Sequence, residues 1–177
     1  MNCVEIAARS RVVQKKGGID RIRRMDEIGR LKAAVEIADE LGRETAKRKC
    51  AMRLAERLMV LGKYGRAKRI CDRHMDELGF LKTASNANEA LIRQGKFIES
   101  AKLNRKYSFT HGMATSAGLE IRRRIGNISY RGLKRLARKY RAERELARCI
   151  RDEADRFVSR GLRGEADWLR RKFLAEP

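Results

Sequence analysis

One spacing, repeated along the whole chain, limits it to one kind of architecture. Gly62-Lys63-Tyr64-Gly65-Arg66-Ala67 recurs in outline as Gly95-Lys96-Phe97-Ile98-Glu99-Ser100 and as Gly161-Leu162-Arg163-Gly164-Glu165-Ala166. Upstream the same outline reads Gly29-Arg30-Leu31-Lys32-Ala33-Ala34. Positions 29, 62 and 95 are evenly spaced, and the step from 95 to 161 is twice as long, so one period fits all four. A glycine at φ > 0 ends one helix. The large residue two places on and the small residue five places on begin the apolar stripe of the next. Internal repeats of this length are supersecondary units that bury their apolar face by stacking on one another.

Written from Lys15, the register gives five units beginning near 15, 48, 81, 114 and 147. Residues 1–14 form a basic N-terminal arm outside it, and 15–177 a single helical-repeat domain. Late in each unit stands the column Ile37, Ile70, Leu103, Leu136 and Leu169. Four residues on come Leu41, His74, Tyr107, Tyr140 and Phe173, and three residues before it Ala34, Ala67, Ser100, Leu133 and Ala166. Offsets of three and four put all three columns on one helix face. Two residues after the turn glycine the register reads Leu31, Tyr64, Phe97, Tyr130 and Arg163.

The first helix of each unit opens on a small residue at Gly18, Ala51, Ala84 and Ala117, with Ile150 departing. Its apolar face continues through Met25, Leu58, Leu91 and Phe157, interrupted by Arg124. The fourth unit moves its turn glycine from position 128, an isoleucine, to Gly126, so its first helix is expected to be short or distorted. With Pro177 the sole proline and 6% aromatics, the composition favours helices throughout. The expected fold is all-α, with each unit a helix, a glycine turn and a second helix.

The turn Gly62-x-Tyr64-x-x-Ala67, with Leu54, Ala55 and Leu58 in the helix before it, resembles the tetratricopeptide family of helical-hairpin repeats. The likeness is strongest over residues 48–110. Those repeats run to about 34 residues. The resemblance implies a right-handed superhelix, an α-solenoid of about five helix-turn-helix repeats that acts as a binding scaffold and not as a catalyst.

Charge is the second constraint. The net charge of +21 points to a polyanionic partner. Residues 93–151 hold 17 Lys+Arg against 4 Asp+Glu, whereas 152–177 hold six of each. On the second helices the basic positions repeat as Arg69 and Arg73, then Lys102, Arg105 and Lys106, then Arg135, Arg138 and Lys139, then Arg171 and Lys172. They lie between the apolar columns and therefore face away from the core. Cations at this spacing suit phosphates, whose contacts give affinity and position but no sequence reading. RNA or another nucleic acid, or a ribonucleoprotein, is the expected partner.

A second series runs along the first helices as Lys16, Lys49, Lys82 and Arg148, with Arg53 and Asn86 four residues after Lys49 and Lys82. Tetratricopeptide domains that grip a peptide's terminal carboxylate hold it with Lys, Arg and Asn at similar positions. The resemblance thus also admits a protein-interaction adaptor or inhibitor whose groove takes an acidic segment.

Nothing in the sequence calls for an enzyme, a cofactor or a metal. Cys71-Asp72-Arg73-His74 places a Cys and a His three apart, but no second ligand pair follows. His74 and His111 have no serine or carboxylate at a catalytic spacing. Cys3, Cys50, Cys71 and Cys149 read as free thiols of a reducing compartment. No apolar run is long enough to span a membrane, and the acid-poor start with Arg9 and Arg11 is compatible with an organelle-targeting segment. The cytoplasm is the expected location, with an organelle matrix as the alternative.

Overall fold

In the computed structural model, residues 26–127 and 129–174 are described. The arm at 1–14, Lys16, Gly18, Met25, Cys3 and position 128 lie outside them. The described residues are all-helical, without a strand. In order they form α1 (Glu27–Glu40), α2 (Glu44–Val60), α3 (Tyr64–His74), α4 (Glu77–Arg93), α5 (Phe97–Lys106), α6 (Thr110–Arg124), α7 (Tyr130–Tyr140), α8 (Glu143–Ser159) and α9 (Arg163–Phe173). By internal contacts the chain divides inside α4, between Ala90 and Leu91, into two compact units.

The helix starts follow the sequence period. α2, α4, α6 and α8 begin at 44, 77, 110 and 143, and α3, α5, α7 and α9 at 64, 97, 130 and 163, both series advancing by the same step. The first series starts four residues ahead of the unit boundaries drawn at 48, 81, 114 and 147. Ala51, Ala84 and Ala117 accordingly do not open their helices but lie well inside them, fully buried. The apolar pattern marks the buried face, and the first turn carries polar residues such as Glu44 and Thr45 that no apolar pattern registers.

Gly29 is not a turn glycine. It sits in the first turn of α1, where its N–H donates to the Asp26 carboxylate at 2.7 Å, and Asp26 is the helix cap. Gly62 does what the sequence implies. It holds φ +71, its N–H donates to the Met59 carbonyl at 2.9 Å, and the Lys63 N–H reaches back to the Leu58 carbonyl at 2.8 Å. These two bonds satisfy carbonyls that the end of α2 leaves unpaired. Gly42, Gly95 and Gly161 are also left-handed and close their helices with the same pair of bonds. α6 has 15 residues where α2, α4 and α8 have 17, and it stops at Arg124, ahead of a left-handed Gly126.

In the first unit α1 packs on α2 and α2 on α3. Ala38, Ala51, Ala55 and Ala67 are fully buried, so small side chains bring these helices together. In the second unit α6 is central and packs against α5, α7 and α8, while α8 also carries α9. A Cβ on Gly118 of α6 would lie 2.9 Å from Cβ of Glu145 on α8, so glycine is what permits that approach. Ser100 breaks a column otherwise filled by Ala or Leu, and the break is matched. Its hydroxyl meets that of Ser116 at 2.7 Å, and Asn104 donates to the Ser100 carbonyl at 3.0 Å.

The column Ala34, Ala67, Ser100, Leu133, Ala166 is buried throughout, as are Ile37, Leu103 and Leu169; Ile70 and Leu136 are half-buried. In the last column Tyr140 is buried, but Leu41 is 40% exposed because it stands past the end of α1 as its C-cap.

Among the described residues, two left-handed ones are not glycines. Ser108 (φ 62) and Arg141 (φ 54) close α5 and α7, one period apart, at the same repeat position as Gly42. A side chain there costs roughly 1–2 kcal/mol, of which glycine's added chain entropy returns roughly 0.5–1 kcal/mol. Ser108→Gly should therefore stabilise the protein by about 0.5–1 kcal/mol, and Gly62→Ala should destabilise it, both measured by urea unfolding. A midpoint for Ser108→Gly at or below the parent's would show that this turn is not left-handed in solution.

Candidate functional site

All ten cations expected on the second helices are exposed: Arg69 and Arg73 on α3, Lys102, Arg105 and Lys106 on α5, Arg135, Arg138 and Lys139 on α7, and Arg171 and Lys172 on α9. Helical spacing produces this directly, because the columns at Leu103 and at Leu133, Ala137 and Tyr140 occupy the buried face. Among the described residues none of the ten is in an ion pair.

The four helices differ in what surrounds these charges. α7 has no acidic residue and adds Arg131 and Lys134 to its basic set. The Lys134 ammonium lies 4.6 Å from the centre of the Phe173 ring, so part of its charge faces an aromatic surface. α9 is mixed. Arg170 pairs with Asp155 at 2.7 Å, Lys172 sits 4.6 Å over Trp168, and the Arg171 Nε–H donates to the Asp167 carbonyl at 3.4 Å. On α3, Lys68 is bound by Asp72 at 3.0 Å, beside Arg69 and Arg73, which are in no ion pair among the described residues.

In the second unit the C-terminal ends of α5 and α7 border the same pocket. Arg105, Arg138 and Lys139 line one pocket of about 280 Å³ together with Arg141, and Asn104, Ser108, Thr110 and Met113 complete it. No acidic residue lines it. Reading the helical columns does not find Arg141, because it lies in a turn outside them. The available signal is its repeat position, one period after Ser108 and three after Gly42.

The first unit holds the other candidate. Lys49 and Arg53 of α2 and Lys82 and Asn86 of α4 line one depression of about 1110 Å³, which also takes in Glu44 and Glu56. Four of the six residues expected in a groove are thus brought together. Arg148, exposed on α8, belongs to the second unit.

The basic run Arg122-Arg123-Arg124 is largely occupied. Glu120 is 1% exposed and receives the Arg123 guanidinium at 2.8 Å and that of Arg124, while Arg122 meets Asp152 at 3.4 Å. Burial opposes the Glu120 charge, but the two arginines outweigh it and hold the carboxyl below its ordinary value of 4.5. Arg124 thus interrupts the apolar column because it serves Glu120.

Burial pushes the Cys71 thiol up to about 11, which leaves almost no thiolate at neutral pH. Burial, then the neighbouring Lys47 and Arg73, lower the His74 pKa. Among the described residues no three His, Cys, Asp or Glu side chains are grouped to hold a metal ion. No helix there is long and apolar enough to cross a membrane. Comparison with protein-family models, with curated proteins and with solved structures found no match.

Glu120 gives a test of this electrostatic arrangement. Because its folded pKa is depressed, its contribution to stability is full above its ordinary value of 4.5 and is lost as the pH falls through the lower folded value. Glu120→Gln should cost about 1–3 kcal/mol at neutral pH and lose less stability than the parent on acidification. Parallel acid limbs in the two unfolding curves would show that folding does not lower the Glu120 pKa.

Proposed function

We propose that this chain is a non-enzymatic, tetratricopeptide-like helical-repeat protein that binds RNA, free or within a ribonucleoprotein, through phosphate contacts on its second helices. The observation that carries the reading is the scarcity of acid around a regular array of cations. All ten are exposed and free of ion pairs among the described residues, and α7 presents its set with no acid at all. An array built for solubility needs charges of both signs interspersed, whereas here the density is greatest where acid is scarcest. Lys and Arg in such rows release condensed counterions when they meet phosphates.

The helix starts, advancing by one constant step in two series, support an α-solenoid of about five helix-turn-helix repeats as the scaffold. Cys50, Cys71 and Cys149 are buried and in no disulfide among the described residues, which favours a reducing, cytoplasmic setting.

A second reading has its own observation. Lys49, Arg53, Lys82 and Asn86 share one depression of the first unit, a donor set suited to a carboxylate at the end of an acidic peptide. In that case the protein is an adaptor or inhibitor of an acidic protein.

Two experiments separate them. Fluorescence anisotropy with a short unstructured RNA should show affinity falling by about two to three orders of magnitude between about 50 and about 200 mM salt, as expected for roughly six phosphate contacts. The triple variant Arg135→Glu, Arg138→Glu, Lys139→Glu should weaken binding and flatten that dependence with helicity unchanged. Affinity indifferent to salt would sink the RNA reading. Lys49→Glu with Lys82→Glu should leave RNA binding nearly intact; if it abolishes capture of an acidic partner while the α7 variant does not, the adaptor reading prevails.

A further inference from the structure

We infer that the pocket between the ends of α5 and α7 is a phosphate seat, the anchoring point of the RNA reading on which this inference rests. Three observations converge there. Arg105 from α5, Arg138 and Lys139 from α7 and Arg141 from the turn after α7 all line a single concavity of about 280 Å³. None of the four is ion-paired among the described residues, and no carboxylate lines the pocket with them. Four like charges held this close repel one another, so an anion that enters relieves the repulsion as well as making its own bonds.

The donor set selects the chemistry. Three guanidinium groups offer planar pairs of N–H donors that match two oxygens of a phosphate, and the ammonium supplies a point charge. Thr110 adds a hydroxyl and opens α6, whose first turn contains no acidic residue, so the positive end of that helix dipole adds to the field. Arg141 reaches this position from a left-handed backbone, φ 54, which any side chain but Gly, Asn or Asp adopts at a cost. A row of cations along a helix grips any polyanion loosely along its length; four cations lining one concavity suit a single phosphate. The remaining exposed charges, such as Lys102, Lys106 and Arg135, then lie along the flanking helices to take neighbouring phosphates.

The test compares one cation removed inside the pocket with one removed outside it. Arg141→Asn keeps a residue that tolerates φ > 0 and removes one pocket charge; Arg105→Gln is an independent second variant. Arg131→Ala removes an exposed α7 charge that does not line the pocket. Affinity for a short RNA should fall about tenfold in each pocket variant, the loss expected for one charged hydrogen-bonding group, and clearly less in Arg131→Ala. Inorganic phosphate, compared with chloride at matched ionic strength, should raise the melting temperature of the parent and of Arg131→Ala but not of the pocket variants.

RNA carrying a 5′-hydroxyl or a 5′-phosphate distinguishes the source. Equal losses for both assign the seat to an internal phosphodiester, and a loss confined to the phosphorylated RNA assigns it to a chain end. Equal weakening by pocket and outside variants, with no phosphate-specific stabilisation, overturns the seat while leaving RNA binding standing. Phosphate stabilisation lost in the pocket variants, in a protein that binds no RNA, keeps the seat and removes the RNA reading.

Discussion

How closely each helix can approach its neighbour is the constraint on which the rest of this structure depends. The contacts are made by small side chains: Ala51, Ala55 and Ala67 in the first unit, Ala101, Ala117, Ala137 and Ala166 in the second, each essentially without exposure. At Gly118 even one methyl group would press on Glu145. Interiors packed to this density tolerate added atoms poorly, at roughly 1–3 kcal/mol per overpacked site. The constant repeat period follows, because a helix pair of fixed lengths with short turns returns the chain to the same packing position each time. Left-handed residues at the turns complete it. They reverse the chain over a short turn while satisfying the carbonyls at the helix ends.

That packing decides where the charge goes. With the 3- and 4-spaced positions of each second helix committed to the interior, the cations between them have no direction left but outward. A folded surface usually balances them. Between 93 and 151 the chain instead keeps 17 cations against 4 acids. Of those acids, Glu120 is spent on Arg123 and Arg124 within α6 itself. The clasp matters twice over, since it buries a carboxylate safely and takes two arginines out of the free charge. What remains uncompensated is concentrated on α5, on α7 and in the turn between α7 and α8.

The periodicity is legible because it is a statement about the buried face, and burial leaves its mark on residue type. Ala34, Ala67, Ser100, Leu133 and Ala166 can be placed on that ground, and so can the all-helical character of the described residues. The misplacements have the opposite cause. The first turn of α2, with Glu44 and Thr45, is largely polar and exposed, so an apolar register starts that helix a turn too late. Gly29 matches the turn outline in residue type, yet Asp26 three residues before it is a better helix start. Ser108 and Arg141 hold a left-handed backbone that a sequence announces only with glycine or asparagine. The basic rows can be read one helix at a time. Their convergence at Arg105, Arg138, Lys139 and Arg141 cannot, because it depends on which helix ends border the same pocket and on a turn residue outside every column.

The two concave sites differ in a way that bears on what each can hold. The first-unit depression is wide, about 1110 Å³, and mixes Lys49, Arg53 and Lys82 with Glu44 and Glu56. Its carboxylates would oppose a ligand that carries charge along its whole length, but they would accept a peptide with an anion at one end and donors elsewhere. The second-unit pocket is much smaller, about 280 Å³, and unopposed by acid. It suits a compact, multiply charged group and stands beside rows of further cations. A polyanion with regularly spaced phosphates can use the pocket and the rows at once, whereas a single carboxylate leaves most of that charge unused. The distribution of acid, more than the total of base, is therefore the ground on which we propose nucleic acid as the partner of the second unit.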